Sequence, residues 1–209
     1  MSAVNSIPSY SADSWRCVST IAQLADIYDP DMQVCSWQRP DDANITSYVT
    51  DANRHCNLQI REVLKASDRP QLVGLPAGEG GELLHNDVAL LIEILCELVD
   101  CPSVGLRYAS VENAMCPRWH VDHVPIRMLC TYIGPGTEWL ADQRADKTKL
   151  SDPEIVDAPC QRAANGDVVL LKGALWQGNA GFGAIHRSPT MASGEPRRML
   201  LTLDPLWPA

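Results

Sequence analysis

The chain has 209 residues, of which 45% are hydrophobic, and its formal net charge is −9. This length and this apolar content are enough for one folded core, so we predict a single domain over residues 1–209. Because nucleic-acid binding needs basic patches that contact phosphates, the acidic balance makes a nucleic-acid partner unexpected.

The sequence also bears on where the protein resides. The first thirty residues contain no apolar segment of the signal-peptide kind, and the chain has no run of eighteen apolar residues. A cytoplasmic protein without a membrane partner is therefore expected. The eight cysteines include no Cys-x-x-Cys pair, so we expect free thiols in a reducing compartment.

Residues 1–103 are predicted to form a mainly helical part, because their apolar residues recur with helical periodicity. Pro102 is expected to stop the last helix, since proline lacks an amide hydrogen and clashes with the preceding turn. The predicted elements are, in chain order, a helix over 14–27, a strand over 34–37, one or two helices over 45–64, a loop over 70–81 and a helix over 82–99.

Residues 104–209 are predicted to form a β-core that holds the metal site. Apolar and β-branched runs between glycine and proline turns indicate five strands. Helices followed by strands indicate an α+β fold in which the N-terminal helices pack on one face of the β-core. The charged segment 141–163 is expected to be a loop that could cover a site. The strands are predicted over 104–111, 119–133, 166–172, 183–187 and 197–204.

The candidate metal ligands are His120, Asp122 and His186. Residues two apart in a strand point to the same face, so the His-x-Asp pair in the predicted strand 119–133 can converge on one ion. The distant histidine completes the two-histidine, one-carboxylate set, which holds a divalent metal and leaves positions open for other ligands. His123 is expected to face away from the ion, because it is adjacent to Asp122.

The order of these motifs resembles that of the iron(II)- and 2-oxoglutarate-dependent dioxygenases. The His-x-Asp pair is followed by a Gly-Asp turn with a buried strand, then by His186 and, eleven residues later, by Arg197. The resemblance covers about residues 104–204 and implies a double-stranded β-helix, a jelly roll of the cupin type. It implies that the three candidate ligands hold Fe(II) as the catalytic centre, where 2-oxoglutarate is converted to succinate while a substrate is oxidised.

The same resemblance implies a cation for the distal carboxylate of 2-oxoglutarate. Arg197 is the candidate by spacing, and a guanidinium can bind a carboxylate through two hydrogen bonds. Arg198 also remains open, since successive strand residues face opposite sides and the register is unknown. Tyr132 and Cys130 share the parity of the His-x-Asp pair, so they either line the cavity or pack in the barrel, and Tyr132 is a third cofactor-binding candidate.

A closer resemblance concerns residues 116–122 and 130–140. These segments look like those of an uncharacterised bacterial family, a domain of unknown function. That resemblance brings no activity with it. Two alternatives therefore stay open: a zinc-binding protein of metal homeostasis without turnover, and a cupin-type metalloenzyme that does not use 2-oxoglutarate.

Zinc is a real alternative to iron here, because Zn(II) accepts the same nitrogen and oxygen ligands. A separate zinc site is also conceivable from Cys116, His120, His123 and Cys130, which lie close in sequence, although their spacing fits no standard zinc finger. Arg197 discriminates between the classes, since an anion anchor has no purpose in a protein that only binds zinc.

Overall fold

The computed structural model describes residues 14–179, 181–191 and 197–208. Over these residues the chain forms two β-sheets and three α-helices, with 3-10 helices at Ile21–Tyr28 and Lys147–Lys149. The α-helices are α1 (Ala43–His55), α2 (Glu79–Val99) and α3 (Pro153–Val156). The strands are β1 (Trp15–Val18), β2 (Val34–Trp37), β3 (Gln59–Lys65), β4 (Ser103–Val111), β5 (Ile126–Ile133), β6 (Glu138–Leu140), β7 (Cys160–Arg162), β8 (Val168–Lys172), β9 (His186–Arg187) and β10 (Arg198–Leu206).

The larger sheet has seven strands in the order β1-β2-β8-β5-β10-β4-β3. Only the β1–β2 pair is parallel among these described strands; the other neighbours are antiparallel. The smaller sheet has the order β7-β6-β9, and an isolated antiparallel bridge between His120 and His186 attaches one further segment beside β9. The two halves of the candidate metal site are therefore neighbours across a β-bridge.

The large sheet separates two apolar layers. On one face, α1, α2 and the first 3-10 helix cover the larger core, which includes Met199, Leu201 and Leu203 of β10. On the other face, Leu129 of β5 and Trp139 of β6 belong to a second core between the two sheets. Because side chains alternate along a strand, the residues of β10 between those of the first core must face the small sheet.

The long helix is explained by its sequence. Its buried residues Leu84, Val88, Leu91 and Leu95 follow the helical period and form the stripe that faces the sheet. Asp100 then adopts the left-handed conformation with φ of 49° and its amide donates to the Cys96 carbonyl, which ends the helix before Pro102. The predicted helix over 82–99 is confirmed, although it begins three residues earlier at Glu79.

Five predicted elements were wrong in type or extent. The segment 14–27 is not one helix, because Trp15–Val18 pairs with β2 before the 3-10 helix begins. The segment 45–64 is α1 only as far as His55, and its remainder is β3, paired with β4. In both cases pairing with a distant strand overrides local helical periodicity. The predicted strand over 119–133 begins only at Ile126, and the one over 183–187 is reduced to β9. The predicted loop over 141–163 contains α3 and β7.

The N-terminal part thus contributes strands β1, β2 and β3 to the large sheet as well as helices. All eight cysteines are free, as expected, and the Cys96 and Cys101 sulfurs lie 3.7 Å apart. Within the described residues, none of the helices combines the length and the apolar character needed to cross a lipid bilayer.

Candidate metal centre

The three candidate ligands come together between the two sheets. The Nε2 atom of His120 lies 3.4 Å from one carboxylate oxygen of Asp122, and the Nε2 atom of His186 lies 3.4 Å from the other. One donor atom from each residue lies within 4.8 Å of the other two. Two imidazoles and one carboxylate at this spacing can bind one divalent cation and leave its remaining positions free.

Each imidazole is held in the tautomer that metal binding requires. The Nδ1 atom of His120 is 2.9 Å from the Arg118 carbonyl oxygen, and that of His186 is 2.9 Å from the Ala184 carbonyl oxygen. A carbonyl oxygen only accepts, so both Nδ1 atoms must carry the proton and donate. Both Nε2 atoms therefore present a lone pair toward Asp122 when the rings are neutral.

The carboxylate is kept ionised by its neighbours. Burial alone raises the pKa of Asp122, but hydrogen bonds from His120 and His186 in their protonated forms, together with the charge of Arg127, hold it well below its usual range. Arg127 donates to Asp122 and also to Asp204, at 2.6 and 3.0 Å. The same Asp122 hydrogen bond raises the pKa of His120, against the effect of its burial. An anionic ligand is thus available for a metal.

The strand parity that predicted Tyr132 as a cavity residue does not hold. His120 and Asp122 face the space between the sheets, but the chain bends at residues 121–125 before β5 begins. After this bend the odd-numbered residues Arg127 and Leu129 line the cavity. Tyr132 and Cys130 lie on the opposite face in the helix-covered core, so the structure does not bring them to the candidate ligands.

Tyr132 has a structural contact of its own: its hydroxyl donates to Asp87 at 2.6 Å, and Asp87 also pairs with Arg39. We expect Tyr132→Phe to lower the free energy of unfolding by about 1–2 kcal/mol, because Asp87 loses one buried hydrogen bond. Metal content and 2-oxoglutarate affinity should be unchanged. Chemical denaturation and metal analysis check this. Loss of metal or of 2-oxoglutarate binding in this variant would show that Tyr132 belongs to the site.

The two adjacent arginines point in different directions. Arg197 forms an ion pair with Glu112 at 2.7 Å and does not line the cavity, so it is not at the candidate site. Arg198 is only 2% exposed and lines the cavity with the three candidate ligands. The register of β10 decides between them, because it turns Arg198, Leu200 and Thr202 toward the small sheet. The preference for Arg197 is therefore corrected in favour of Arg198.

Arg198 is held by the hydroxyl groups of two threonines. Its Nη2 atom donates to the hydroxyls of Thr131 at 2.9 Å and Thr137 at 2.7 Å, and its Nε atom donates to Thr131 at 3.3 Å. Among the described residues no acidic side chain forms an ion pair with it. Burial lowers the pKa of Arg198 to about 10. A buried cation without a counter-ion is costly, so this position favours an anionic ligand.

The second zinc site considered from sequence is not assembled. Cys130 faces the helix-covered core, away from His120, and His123 is exposed. Cys116 does border the cavity, but in the described part of the chain the residues that could jointly hold a metal are His120, Asp122 and His186.

Sequence reasoning missed the polar residues that support the site. Thr131 and Arg127 could have been found from the alternation of polar and apolar residues over 126–133, which puts both on one face. Gln143 had no such signal. This buried side chain donates to the carbonyls of Leu140 and Ile185, and the Ile185 amide donates back to it at 2.6 Å. It fixes the backbone next to His186.

The cavity of the candidate ligands has a volume of about 100 Å³. A larger cavity of about 540 Å³ lies at the outer face of the small sheet and touches the triad only through His120. Its wall includes Trp119, which alternates with His120 and packs on Ile185 in a separate apolar cluster. The larger cavity and the cavity of the candidate ligands therefore lie on opposite faces of the small sheet.

A sequence profile for the family described as "Protein of unknown function (DUF1826)" matches residues 19–204. The chain belongs to the DUF1826 family. The expected resemblance to a family of unknown function is thus confirmed, and the match includes both segments that carry the His-x-Asp pair and His186. No curated protein sequence is significantly similar to this DUF1826 protein.

Solved structures similar to this DUF1826 protein include Fe(II)/2-oxoglutarate oxygenases. The selenomethionine-labelled Fe(II)/α-ketoglutarate-dependent dioxygenase TqaL has 13% identity and a TM-score of 0.52, with 90% of this chain and 87% of that chain covered. A Pseudomonas putida prolyl-4-hydroxylase has 10% identity and a TM-score of 0.48, with 89% and 98% covered. A putative 2OG-Fe(II) oxygenase from Caulobacter crescentus has 14% identity and a TM-score of 0.48, with 93% and 87% covered. At these identities the likeness to TqaL concerns the fold.

Proposed function

We propose that this DUF1826 protein is an Fe(II)- and 2-oxoglutarate-dependent oxygenase. The observation that carries the proposal is the combination of the triad with Arg198 in one cavity. The triad by itself is compatible with zinc storage or with other metal chemistry. A buried guanidinium whose hydrogen-bond partners among the described residues are two threonines has no evident use in a metal-storage protein, whereas it fits a dicarboxylate cosubstrate bound beside the metal.

The path of the chain supports a double-stranded β-helix as the underlying fold. From β4 onward the chain runs through the large sheet, the His120 bridge, β5 in the large sheet, and β6 and β7 in the small sheet. It then returns to the large sheet in β8, crosses to β9 and ends in β10 of the large sheet. Eight segments shared equally between two facing sheets are typical of a jelly roll.

The donor set fits Fe(II). His120 and His186 would supply neutral nitrogen ligands through Nε2, and Asp122 would supply a carboxylate oxygen that Arg127 orients from behind. These contacts fix the donors before any ion arrives, so little reorganisation is needed on binding. Cysteine, the ligand that would select zinc or copper, is absent from the three candidate ligands.

The surroundings of Arg198 fit 2-oxoglutarate. The guanidinium would bind the distal carboxylate, and the Thr131 and Thr137 hydroxyls hold the guanidinium plane in place through 2.7–2.9 Å hydrogen bonds. Leu129 and Leu200 line the same cavity and would exclude water from the cosubstrate's methylene groups. With both groups bound, iron and 2-oxoglutarate would supply the oxidation of a substrate by molecular oxygen, with succinate and carbon dioxide as co-products.

Two measurements on the Fe(II)-loaded protein test the proposal. Under anaerobic conditions, addition of 2-oxoglutarate is expected to produce a visible charge-transfer absorption, because the cosubstrate binds the metal directly. On admission of oxygen, slow formation of succinate without added substrate is expected. If neither appears in protein with one iron per chain, the oxygenase proposal fails. Zinc storage or a 2-oxoglutarate-independent cupin-type enzyme would then explain the triad.

A further inference from the structure

A pair of arginines lies directly opposite each other on the open face of the large sheet. In the β3–β4 ladder Arg61 is paired with Arg107, and antiparallel partners point to the same face. Like charges in this arrangement repel each other and destabilise the sheet. Both side chains line one groove, so they are not separated by turning away.

The neighbouring acid groups do not neutralise the pair. Asp204 is the carboxylate that contacts Arg107, at 3.0 Å, but the same carboxylate also binds Arg127 at 2.6 and 3.0 Å. Within the described part of the chain, Arg61 forms no ion pair. Among the described residues, Arg61, Arg107 and Arg127 share the carboxylates of Asp204 and Asp122, so one positive charge is unmatched here in a protein whose net charge is −9. A local excess of charge against the overall balance attracts ligands of the opposite sign.

The groove of the arginine pair adjoins the triad cavity. Four residues line both spaces: Arg107, Met115, Leu200 and Thr202. Gln59, at the far side of the groove, already donates to the Ser110 carbonyl at 3.0 Å. The charged donors of the groove are therefore the guanidinium of Arg61 and that of Arg107, of which the second also donates to Asp204. A ligand whose charged end reached Arg61 and Arg107 would extend along Leu200 and Thr202 toward the candidate metal.

We propose that Arg61 and Arg107 form a subsite for an anionic group of the oxygenase's substrate, a phosphate or a carboxylate. The inference rests on the proposed function for its reaction but not for the binding itself. Two guanidinium groups side by side present several donors to the oxygens of one anion, which also relieves their mutual repulsion. Retaining the repulsion in the free protein is the kind of stability cost that binding sites show.

Titration calorimetry at low ionic strength tests the subsite, with inorganic phosphate and acetate as separate probes. We expect wild-type protein to bind at least one of the two anions. Arg61→Gln and Arg107→Gln should each weaken that anion by about tenfold or more, since each removes one charged donor pair. The anion that binds more tightly identifies the class of group. Arg61→Gln should also unfold at a higher temperature than wild type in anion-free buffer, because the repulsion is gone.

Arg54→Gln is the matched control, because Arg54 is an exposed arginine paired with Asp51 on α1, which packs on the other face of the sheet. Arg54→Gln should change neither the affinity for the anion nor the unfolding temperature in anion-free buffer. The subsite is refuted if wild-type protein binds neither anion, or if Arg61→Gln and Arg107→Gln bind as tightly as Arg54→Gln does. Arg198→Met separates the two proposals: it should weaken 2-oxoglutarate binding by about ten- to a hundredfold and leave anion binding at Arg61 intact. If the oxygenase proposal failed, the anion-binding result for Arg61 and Arg107 would therefore still stand.

Discussion

His186→Ala is expected to empty the candidate metal site. The variant removes one of three ligand atoms that all lie within 4.8 Å of one another. Losing a group that merely orients a ligand costs about 10- to 100-fold in metal affinity, so losing the ligand itself should cost at least about 100-fold. Elemental analysis after dialysis against a weak chelator measures the effect, with about one metal per chain expected for wild type.

The fold should survive this substitution. The apolar cores of the large sheet do not involve His186, unlike the core of a zinc finger, which depends on its ion. His123→Ala is the matched control, because this histidine is exposed and adjacent to Asp122 in sequence but is not one of the candidate ligands. It should retain full metal content. Unchanged metal in folded His186→Ala protein, or equal loss in both variants, would contradict the assignment.

Arg198→Met is expected to weaken 2-oxoglutarate binding to the Fe(II) protein by about ten- to a hundredfold. A hydrogen-bonded charge pair is worth roughly 1.5–3 kcal/mol, and each 1.4 kcal/mol is a factor of ten in affinity. Methionine approximates the length of the arginine stem without its charge, so it limits the cavity left behind. Metal content should remain at the wild-type level, because Arg198 is not a candidate ligand. Anaerobic titration followed by the charge-transfer absorption gives the dissociation constant.

The adjacent arginine offers a control within the same strand region. Arg197→Met should leave 2-oxoglutarate affinity unchanged, since Arg197 is paired with Glu112 outside the cavity. Arg197 should not compensate for the loss of Arg198 in Arg198→Met, because Arg197 pairs with Glu112 outside the cavity. A strong effect of Arg197→Met with a weak effect of Arg198→Met would show that the strand register differs from the one described.

The sequence by itself determined the chemistry of the candidate site. His-x-Asp and a distant histidine are recognisable because the donor types and the two-residue spacing are local properties of the chain. The helix at Glu79–Val99 could equally be predicted from the sequence, because its apolar stripe, its end and the following proline are all encoded within a few turns. The order of motifs also sufficed for the resemblance to 2-oxoglutarate oxygenases.

Only the tertiary structure decided which side chains share the cavity with the triad. Parity along a strand is reliable only while the strand is unbroken, and the bend at residues 121–125 reversed it, so that Arg127 and Leu129 replaced Cys130 and Tyr132. The choice of Arg198 over Arg197 depended on how β10 pairs with β4 and β5, which lie far away in sequence. Such pairings are set by the burial of whole faces of the sheet, and a single-residue shift would turn every side chain of the strand to the other face.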